Sequence, residues 1–267
     1  MRILIFGASG FIGEHLTQYA VSQGHDVLAL CRSGYVAGFT GKCKRWTLGE
    51  SLTLSSIGGN DCAIHLAYDF NGAQGAQLTR EGTLAMVTQL REIGVRQQIF
   101  FSSYSAGGHA TSLYGRTKFA IENDLAGMCD VVIVRPGLVL GEGGIYGRIR
   151  KWARRLPVIP LPDGGYGQVP VINLGRLCQE TLSIVESCAP SHEINLFERK
   201  SRSLRKLVLD AAAEVGHKPW IIFVPTALVI FGLRVAKIMR IPLPVNADNL
   251  EGFVANQMAN HVSTLQD

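Results

Sequence analysis

The sequence lacks the features that define several large classes of protein. Only 18% of its 267 residues are charged, and there is no lysine-rich tail. The formal charge of +5 suits an anionic small ligand as well as nucleic acid, and without such a tail nothing favours nucleic acid. The His, Cys and Asp residues show no metal-ligand spacing, and no serine stands in a GxSxG elbow. We therefore expect no bound metal and no hydrolase chemistry.

Disulfide chemistry is not expected either. The six cysteines make no CxxC pair. Cys31, Cys62 and Cys129 lie in or beside predicted buried strands, where a thiol acts as a small apolar side chain. His65, on an apolar strand, is likewise predicted to be a core residue. Because a strand is predicted at the N-terminus, no room is left for a signal peptide, and we expect a reduced protein in the cytoplasm.

Long apolar runs are also scarce, and the nearest to a membrane segment is 220–233. This stretch is shorter than the roughly 20 residues that span a bilayer, and it contains Pro225. Arg234, Lys237 and Arg240 follow it, as in a basic interfacial helix. We expect a helix packed on the protein's own core, with peripheral membrane contact as the alternative.

The most informative stretch is the N-terminal MRILIFGASGFIG. The apolar run 2–6 ends at Gly7 and predicts a buried strand, and apolar periodicity predicts a helix over 11–21. A strand that enters a helix through a glycine turn leaves free N–H groups, which bind an anion. Gly7 would permit the turn, Gly10 the approach of a pyrophosphate, and Gly13 the packing of helix on strand. The stretch predicts a dinucleotide-binding site.

Strands and helices alternate over the first 145 residues. Strands are predicted at 26–30, 44–47, 61–67, 98–101 and 130–135, and helices at 79–93 and from Thr111 or Ser112 to about 126. This order predicts an α/β protein with a Rossmann doubly wound parallel sheet over 1–145.

Beyond residue 145 the pattern changes. Helices are predicted at 148–156, 174–186 and 204–215, and a strand at 193–197. We expect 146–267 to form mainly a smaller C-terminal substrate-binding lobe over the carboxyl edge of the sheet, with part of it returning to the sheet.

A tyrosine and a lysine in YGRTK provide candidate chemistry. Tyr114 and Lys118 lie at i and i+4, on one face of a predicted helix. The ammonium group would lower the pKa of the phenol from about 10 toward neutrality, as acid–base catalysis requires. Ser103, at the end of a strand, could bind the same substrate oxygen. The alternative is an ordinary solvated pair.

Six segments in this order resemble the short-chain dehydrogenase/reductase superfamily, in its extended branch of NAD(P)-dependent epimerases and dehydratases acting on nucleotide sugars. They are GASGFIG at 7–13, DCAIHLA at 61–67, EGTLAMV at 81–87, FFSSYSAGG at 100–108, YGRTK at 114–118 and RPGLVLG at 135–141. The resemblance implies a catalytic triad of Ser103, Tyr114 and Lys118, with Lys118 also binding the nicotinamide ribose. Tyr68 would join Ser103 at the substrate. Cofactor contacts are implied for Gly7, Ser9, Gly10, Phe11, Ile12, Gly13, Leu66, Ala67, Tyr114, Pro136 and Leu138. Glu122 is the acidic residue usual on that helix.

Four departures from the family pattern stand out. The link from Ser103 to Tyr114 is short, Thr79 replaces a common asparagine, and Asn173 replaces a common aspartate. The second strand ends in Cys31-Arg32, where NAD-preferring relatives carry an acid. A thiol does not repel a 2′-phosphate, and Arg32 with Ser33 could contact one, so NADP is favoured over NAD. The alternative is that Arg32 stacks on adenine or faces solvent.

The segment 147–155 holds five cations. On a helix Arg148, Lys151 and Arg155 share a face, which could meet a nucleotide diphosphate. The alternative is a solvated basic helix.

These features predict an NAD(P)-dependent oxidoreductase or epimerase that transfers hydride at a sugar carbon. The substrate would be a nucleotide sugar and the enzyme a keto-sugar reductase or 4-epimerase. Tyr104-Ser105 replace the Asp-Glu pair that a dehydratase would want. A non-catalytic NAD(P)-binding regulatory or assembly protein is the alternative function, and a homodimer is compatible with either.

Overall fold

The computed structural model describes residues 1–52, 62–95, 97–128, 130–187, 193–239 and 247–265. The first half alternates strands with helices, as predicted. Its elements are β1 (Arg2–Phe6), α1 (Phe11–Ser22), β2 (Asp26–Cys31), β3 (Lys42–Arg45), β4 (Cys62–His65), α2 (Gly72–Glu92), β5 (Gln97–Phe101), α3 (Leu113–Leu125) and β6 (Val131–Pro136).

The second half is made of shorter elements. They are β7 (Leu138–Leu140), α4 (Gly144–Ala153), β8 (Val158–Pro162), β9 (Gln168–Val169), β10 (Val171–Asn173), α5 (Leu174–Ser187), β11 (Glu193–Leu196), β12 (Arg202–Ser203), α6 (Leu204–Ala213), β13 (Trp220–Val224), α7 (Thr226–Ile238) and α8 (Ala247–Ala255). Among the described helices, none is long and apolar enough to cross a bilayer.

A parallel sheet of seven strands forms the centre, in the order β11-β6-β5-β4-β1-β2-β3. Its apolar side chains are buried by helices on both faces, because strands buried on two sides need cover on two sides. The strand order reverses between β1 and β4. The predicted Rossmann-type fold is confirmed, and this reversal opens a crevice at the carboxyl ends of the strands, where such folds bind ligands.

The second half adds to the sheet and covers its edge. β11 pairs with β6, and α5 packs against α1. The second half also contains three two-stranded sheets: β7 with β10, β9 with β12 and β8 with β13. In the same half, α4 packs against α6. The boundary between the two predicted domains, at residue 145, stays a prediction.

Several boundaries differ from the predicted ones. α2 begins at Gly72 rather than at 79, because its first turns carry small and polar residues with no apolar periodicity. α4 begins at Gly144, four residues before the predicted start, and β3 lies two residues before its predicted position. Cys31, Cys62 and His65 are buried as predicted. Asp61 and Cys129 lie outside the described residues.

Candidate active site

The turn between β1 and α1 forms a close-packed backbone cradle. Gly7 has φ +82°, and a Cβ there would lie 2.7 Å from the amide nitrogen of Ala67. A Cβ on Gly13 would lie 2.3 Å from the carbonyl oxygen of Gly7. Gly10 occupies the N-cap position of α1, and no side chain caps the helix. The first amides of α1, beginning at Phe11, are therefore open to an anion, and the cradle fits a dinucleotide pyrophosphate.

A second glycine-rich turn, 141–144, packs on the cradle through Phe11. A Cβ on Gly143 would lie 2.3 Å from the Phe11 ring, and a Cβ on Gly141 would lie 2.8 Å from it. Side chains at these positions would displace Phe11. This contact was not predicted, although the GEGG spacing at 141–144, directly after β7, signals a second glycine turn. It brings the start of α4 against the predicted cofactor site.

The end of β2 carries the residues on which the NADP prediction rests, and the preference stays a prediction. Cys31 is buried, and its Sγ lies 3.4 Å from the Ser33 hydroxyl. Arg32 and Ser33 are exposed directly after the strand. A neutral thiol thus stands at the position of the usual acid, with a cation beside it.

The three predicted catalytic residues come together at the carboxyl ends of β5 and β6. Ser112 caps α3 by accepting a hydrogen bond from the amide of Gly115, which fixes the helix start beside Tyr114. The Ser103 hydroxyl accepts the amide of Ser105 at 3.1 Å and lies near enough to the phenol of Tyr114 to lower its pKa. Pro136 lies alongside, because its carbonyl accepts the amide of Tyr104. Ser103 and Tyr114 are thus placed to share one substrate oxygen.

Lys118 lies beneath this pair, inside the protein. Its ammonium group donates a 2.6 Å hydrogen bond to the carbonyl of Phe101 and lies 4.6 Å from the centre of the Phe100 ring. Burial lowers the pKa of Lys118 to about 7, against the charge of Glu122, which raises it.

The predicted direction of the Tyr114 pKa is wrong. Burial, followed by the neighbouring Tyr68, raises the pKa of Tyr114 to about 12, and the nearby Ser103 hydroxyl only partly offsets this. Loss of solvent disfavours the charged phenolate, so the spacing of Tyr114 and Lys118 on one helix face does not set the direction of this pKa. Tyr114 is therefore a neutral phenol at neutral pH, which is the proton-donating form.

Aromatic rings surround Tyr114 on the loop after β4. Tyr68 meets it edge to face at 4.9 Å between ring centres, and Phe70 stacks on it at 6.1 Å. Phe70 is 79% exposed. The buried Thr79 hydroxyl, which stands where relatives carry asparagine, accepts the amide of Asp69 and holds this loop. Sequence reasoning named Tyr68 and missed Phe70, since nothing local marks which loop aromatic reaches the site.

The C-terminal segment covers the short link between Ser103 and Tyr114. Asn256 donates to the Ser105 hydroxyl at 3.0 Å, and Asp248 accepts the amide of Leu113 at 2.7 Å. The ring of His261 lies 2.8 Å from the carbonyl of Ala106. These contacts are long-range, so local patterns did not predict them.

A buried ion pair supports α3 below the site. Arg135, at the end of β6, binds both carboxylate oxygens of Glu122, at 2.8 and 2.7 Å, and also reaches Glu193. The two hydrogen bonds from Arg135 hold the Glu122 carboxylate one helical turn from Lys118. The acidic residue implied by the family resemblance therefore acts on Lys118 through charge.

The basic residues of segment 147–155 have different surroundings in the structure. Arg148 and Lys151 are exposed on α4, whereas Arg150 pairs with Glu214 at 2.8 Å. Arg155 lies beyond the helix end. The two predicted substrate contacts thus share an exposed helix face, and their role stays a prediction.

The fold and this constellation define a Rossmann-type α/β protein with a serine, a tyrosine and a lysine at the sheet edge. The model of the NAD dependent epimerase/dehydratase family matches residues 3–156, more than half of the chain. The protein belongs to that family, and the resemblance drawn from its motifs is confirmed.

Solved structures share the fold. An epimerase of Methanothermobacter thermautotrophicus matches with a TM-score of 0.71 at 16% identity, over 84% of this chain and 80% of that one. A UDP-glucose 4-epimerase of Thermotoga maritima, solved with UDP-glucose, matches with a TM-score of 0.69 at 18% identity, over 84% and 86%. At these identities the likeness shows the fold alone.

Curated relatives are more similar in sequence but match smaller shares of this chain. The 3-diazoavenalumate denitrifying reductase of a Streptomyces species is 27% identical over 228 residues, which cover 70% of this chain and 73% of the relative. The photosystem II assembly factor Ycf39 of Synechocystis is 29% identical over 118 residues, 38% of this chain. The chain spans about a third of that factor's length, 33%.

Proposed function

We propose that this protein is an NADPH-dependent reductase of a carbonyl group on a nucleotide-linked sugar. The observation that carries the proposal is the placement of Ser103 beside Tyr114 at the carboxyl edge, with Lys118 buried beneath them. Binding a dinucleotide does not by itself need all three side chains. Family membership supports an NAD(P)-linked enzyme, and the solved neighbours supply the analogy for nucleotide sugars.

The protonated state of Tyr114 favours reduction. When bound, NADPH supplies the hydride. The Ser103 hydroxyl orients the carbonyl oxygen of the substrate, and Tyr114 donates its phenolic proton to that oxygen as the carbon takes the hydride. The phenolate that remains is stabilised by the cation of Lys118.

Turnover with carbonyl substrates tests the proposal. Purified protein is mixed with NADPH and a panel of UDP- and dTDP-linked keto sugars, and the loss of NADPH absorbance is followed. We expect consumption of NADPH equal to the alcohol formed. Conversion of a UDP-hexose to its epimer with no net loss of NADPH would instead make the protein an epimerase.

The nucleotide part of the substrate has its own test. UDP or dTDP should raise the melting temperature, because a ligand of the folded state stabilises it by mass action. Reversing the charges of Arg148 and Lys151 together should remove this shift and leave NADPH binding unchanged. Reversal at Arg154 and Arg155, beyond the end of α4, is the matched control. If no nucleoside diphosphate shifts the melting temperature, the substrate is a small neutral carbonyl compound.

A non-catalytic role is the second candidate, favoured by the similarity to an assembly factor over 118 residues. The covering of Tyr114 by Tyr68 and Phe70 is compatible with it. Tight NADPH binding without turnover of any carbonyl compound would support this candidate.

A further inference from the structure

The second half of the chain exposes a large apolar surface on β13 and α7. Trp220 is 78% exposed, Phe231 66% and Met239 66%. We name the surface the apolar face and define it by six exposed side chains: Trp220, Ile222, Leu228, Phe231, Val235 and Met239. Single exposed apolar residues are ordinary, whereas a set on adjoining elements marks an interaction surface.

The helix part of the apolar face follows helical periodicity. Leu228, Phe231 and Val235 lie three and four residues apart along α7, so they form one stripe. The opposite side carries Leu233 and Ala236, which are buried against the protein. The helix is therefore apolar on both sides, and only the side with Leu233 and Ala236 packs against the rest of the protein.

The strand part places an aromatic ring among cations. The amide of Trp220 donates to the carbonyl of Pro157 at 2.8 Å, which brings the start of β13 beside the chain that leaves α4. Arg154, Arg155 and Lys218 are all exposed there. Tryptophan next to basic side chains is typical of protein surfaces at the headgroup level of a bilayer.

The sequence that contains β13 and α7 carries positive charge and no negative charge. From 215 to 247 the sequence has four basic residues and no Asp or Glu. Two acids that approach the face from other elements are held by hydrogen bonds or an ion pair, and only the ion pair cancels a charge. Asp163 caps α7 through the amide and hydroxyl of Thr226, and Glu251 pairs with Arg234.

We propose that the apolar face docks the protein on the surface of an anionic lipid bilayer. The exposed side chains would enter the headgroup region, and the flanking cations would meet the lipid phosphates. The match of a net positive region to a negative surface favours a bilayer over a neutral apolar protein partner. This inference does not depend on the proposed reaction.

Vesicle sedimentation tests the proposal. The whole chain is mixed with vesicles of phosphatidylcholine alone, or of phosphatidylcholine and phosphatidylglycerol in equal parts. We expect sedimentation with the anionic vesicles, and each of Arg155→Ala and Lys218→Ala should weaken it about fivefold. Raising the salt from about 0.1 M to about 1 M should weaken it further, since the Debye length falls from roughly 10 to 3 Å.

Phe231→Glu should abolish sedimentation, and Val262→Glu, at an apolar side chain exposed elsewhere, should not. Both variants should keep the wild-type melting temperature and NADPH affinity. The proposal is overturned if neither vesicle sediments the protein, or if Val262→Glu has the same effect as Phe231→Glu. It is also overturned if light scattering shows a dimer that Phe231→Glu dissociates while vesicle binding is absent, since the face would then join two copies of this chain.

Discussion

The ammonium group of Lys118 donates a 2.6 Å hydrogen bond to the carbonyl oxygen of Phe101, the last residue of β5. Burial lowers the pKa of Lys118 to about 7. The lysine therefore exchanges its proton near neutral pH, while Tyr114 above it stays protonated. A cation that forms readily at this place would stabilise a phenolate formed by proton transfer to substrate.

Arg32 should decide the choice of cofactor. We expect NADPH to bind more tightly than NADH, and Arg32→Ala to remove the difference. A charge-assisted contact with the 2′-phosphate contributes about 1.5–3 kcal/mol, or roughly ten- to a hundredfold in affinity. Cys31→Asp should reverse the preference by repulsion. Fluorescence titration measures both constants, and equal affinities in the wild type would refute the assignment.

Phe70 should contribute to substrate binding. Its ring is exposed and stacks on Tyr114, so it is placed to cover a substrate held by that residue. Phe70→Ala should raise KM by about tenfold, the value of one aromatic contact of roughly 1–1.5 kcal/mol. The affinity for NADPH should not change. Phe70→Tyr keeps the ring and should restore KM; failure of that rescue would assign Phe70 a merely structural role.

His65 should make stability dependent on pH. Burial, partly offset by the hydrogen bond to Gln98, lowers the pKa of His65 from 6.5 to about 4. Between these values the unfolded chain takes up a proton that the folded chain does not. The free energy of unfolding should therefore fall as pH falls from 6.5 to about 4, by up to about 1.4 kcal/mol per pH unit.

Urea unfolding at several pH values checks this dependence. His65→Leu should be less stable at neutral pH, since Gln98 loses its partner, yet its stability should vary less between pH 6.5 and about 4. His15→Gln, at an exposed histidine, should keep the wild-type slope. An unchanged slope in His65→Leu would show that His65 does not set it.

Local patterns predict those parts of the site that are themselves local. The glycine turn, the Cys31-Arg32 strand end and the spacing of Tyr114 and Lys118 each lie within a few residues, and all were predicted from the sequence. The stack of Phe70 on Tyr114 and the bond from Asn256 to Ser105 join distant segments. The direction of the Tyr114 pKa depends on burial, which the spacing to a lysine does not reveal.

The most direct test of the account is turnover by Tyr114→Phe. This variant keeps the ring and its contacts and removes only the proton donor, so the rate of carbonyl reduction should fall by about a hundredfold or more. NADPH affinity should stay within a few-fold of the wild type. Tyr35→Phe, at an exposed tyrosine, is the matched control and should keep full activity. Carbonyl reduction by Tyr114→Phe at the wild-type rate would contradict the role assigned to Tyr114 and with it the proposed mechanism.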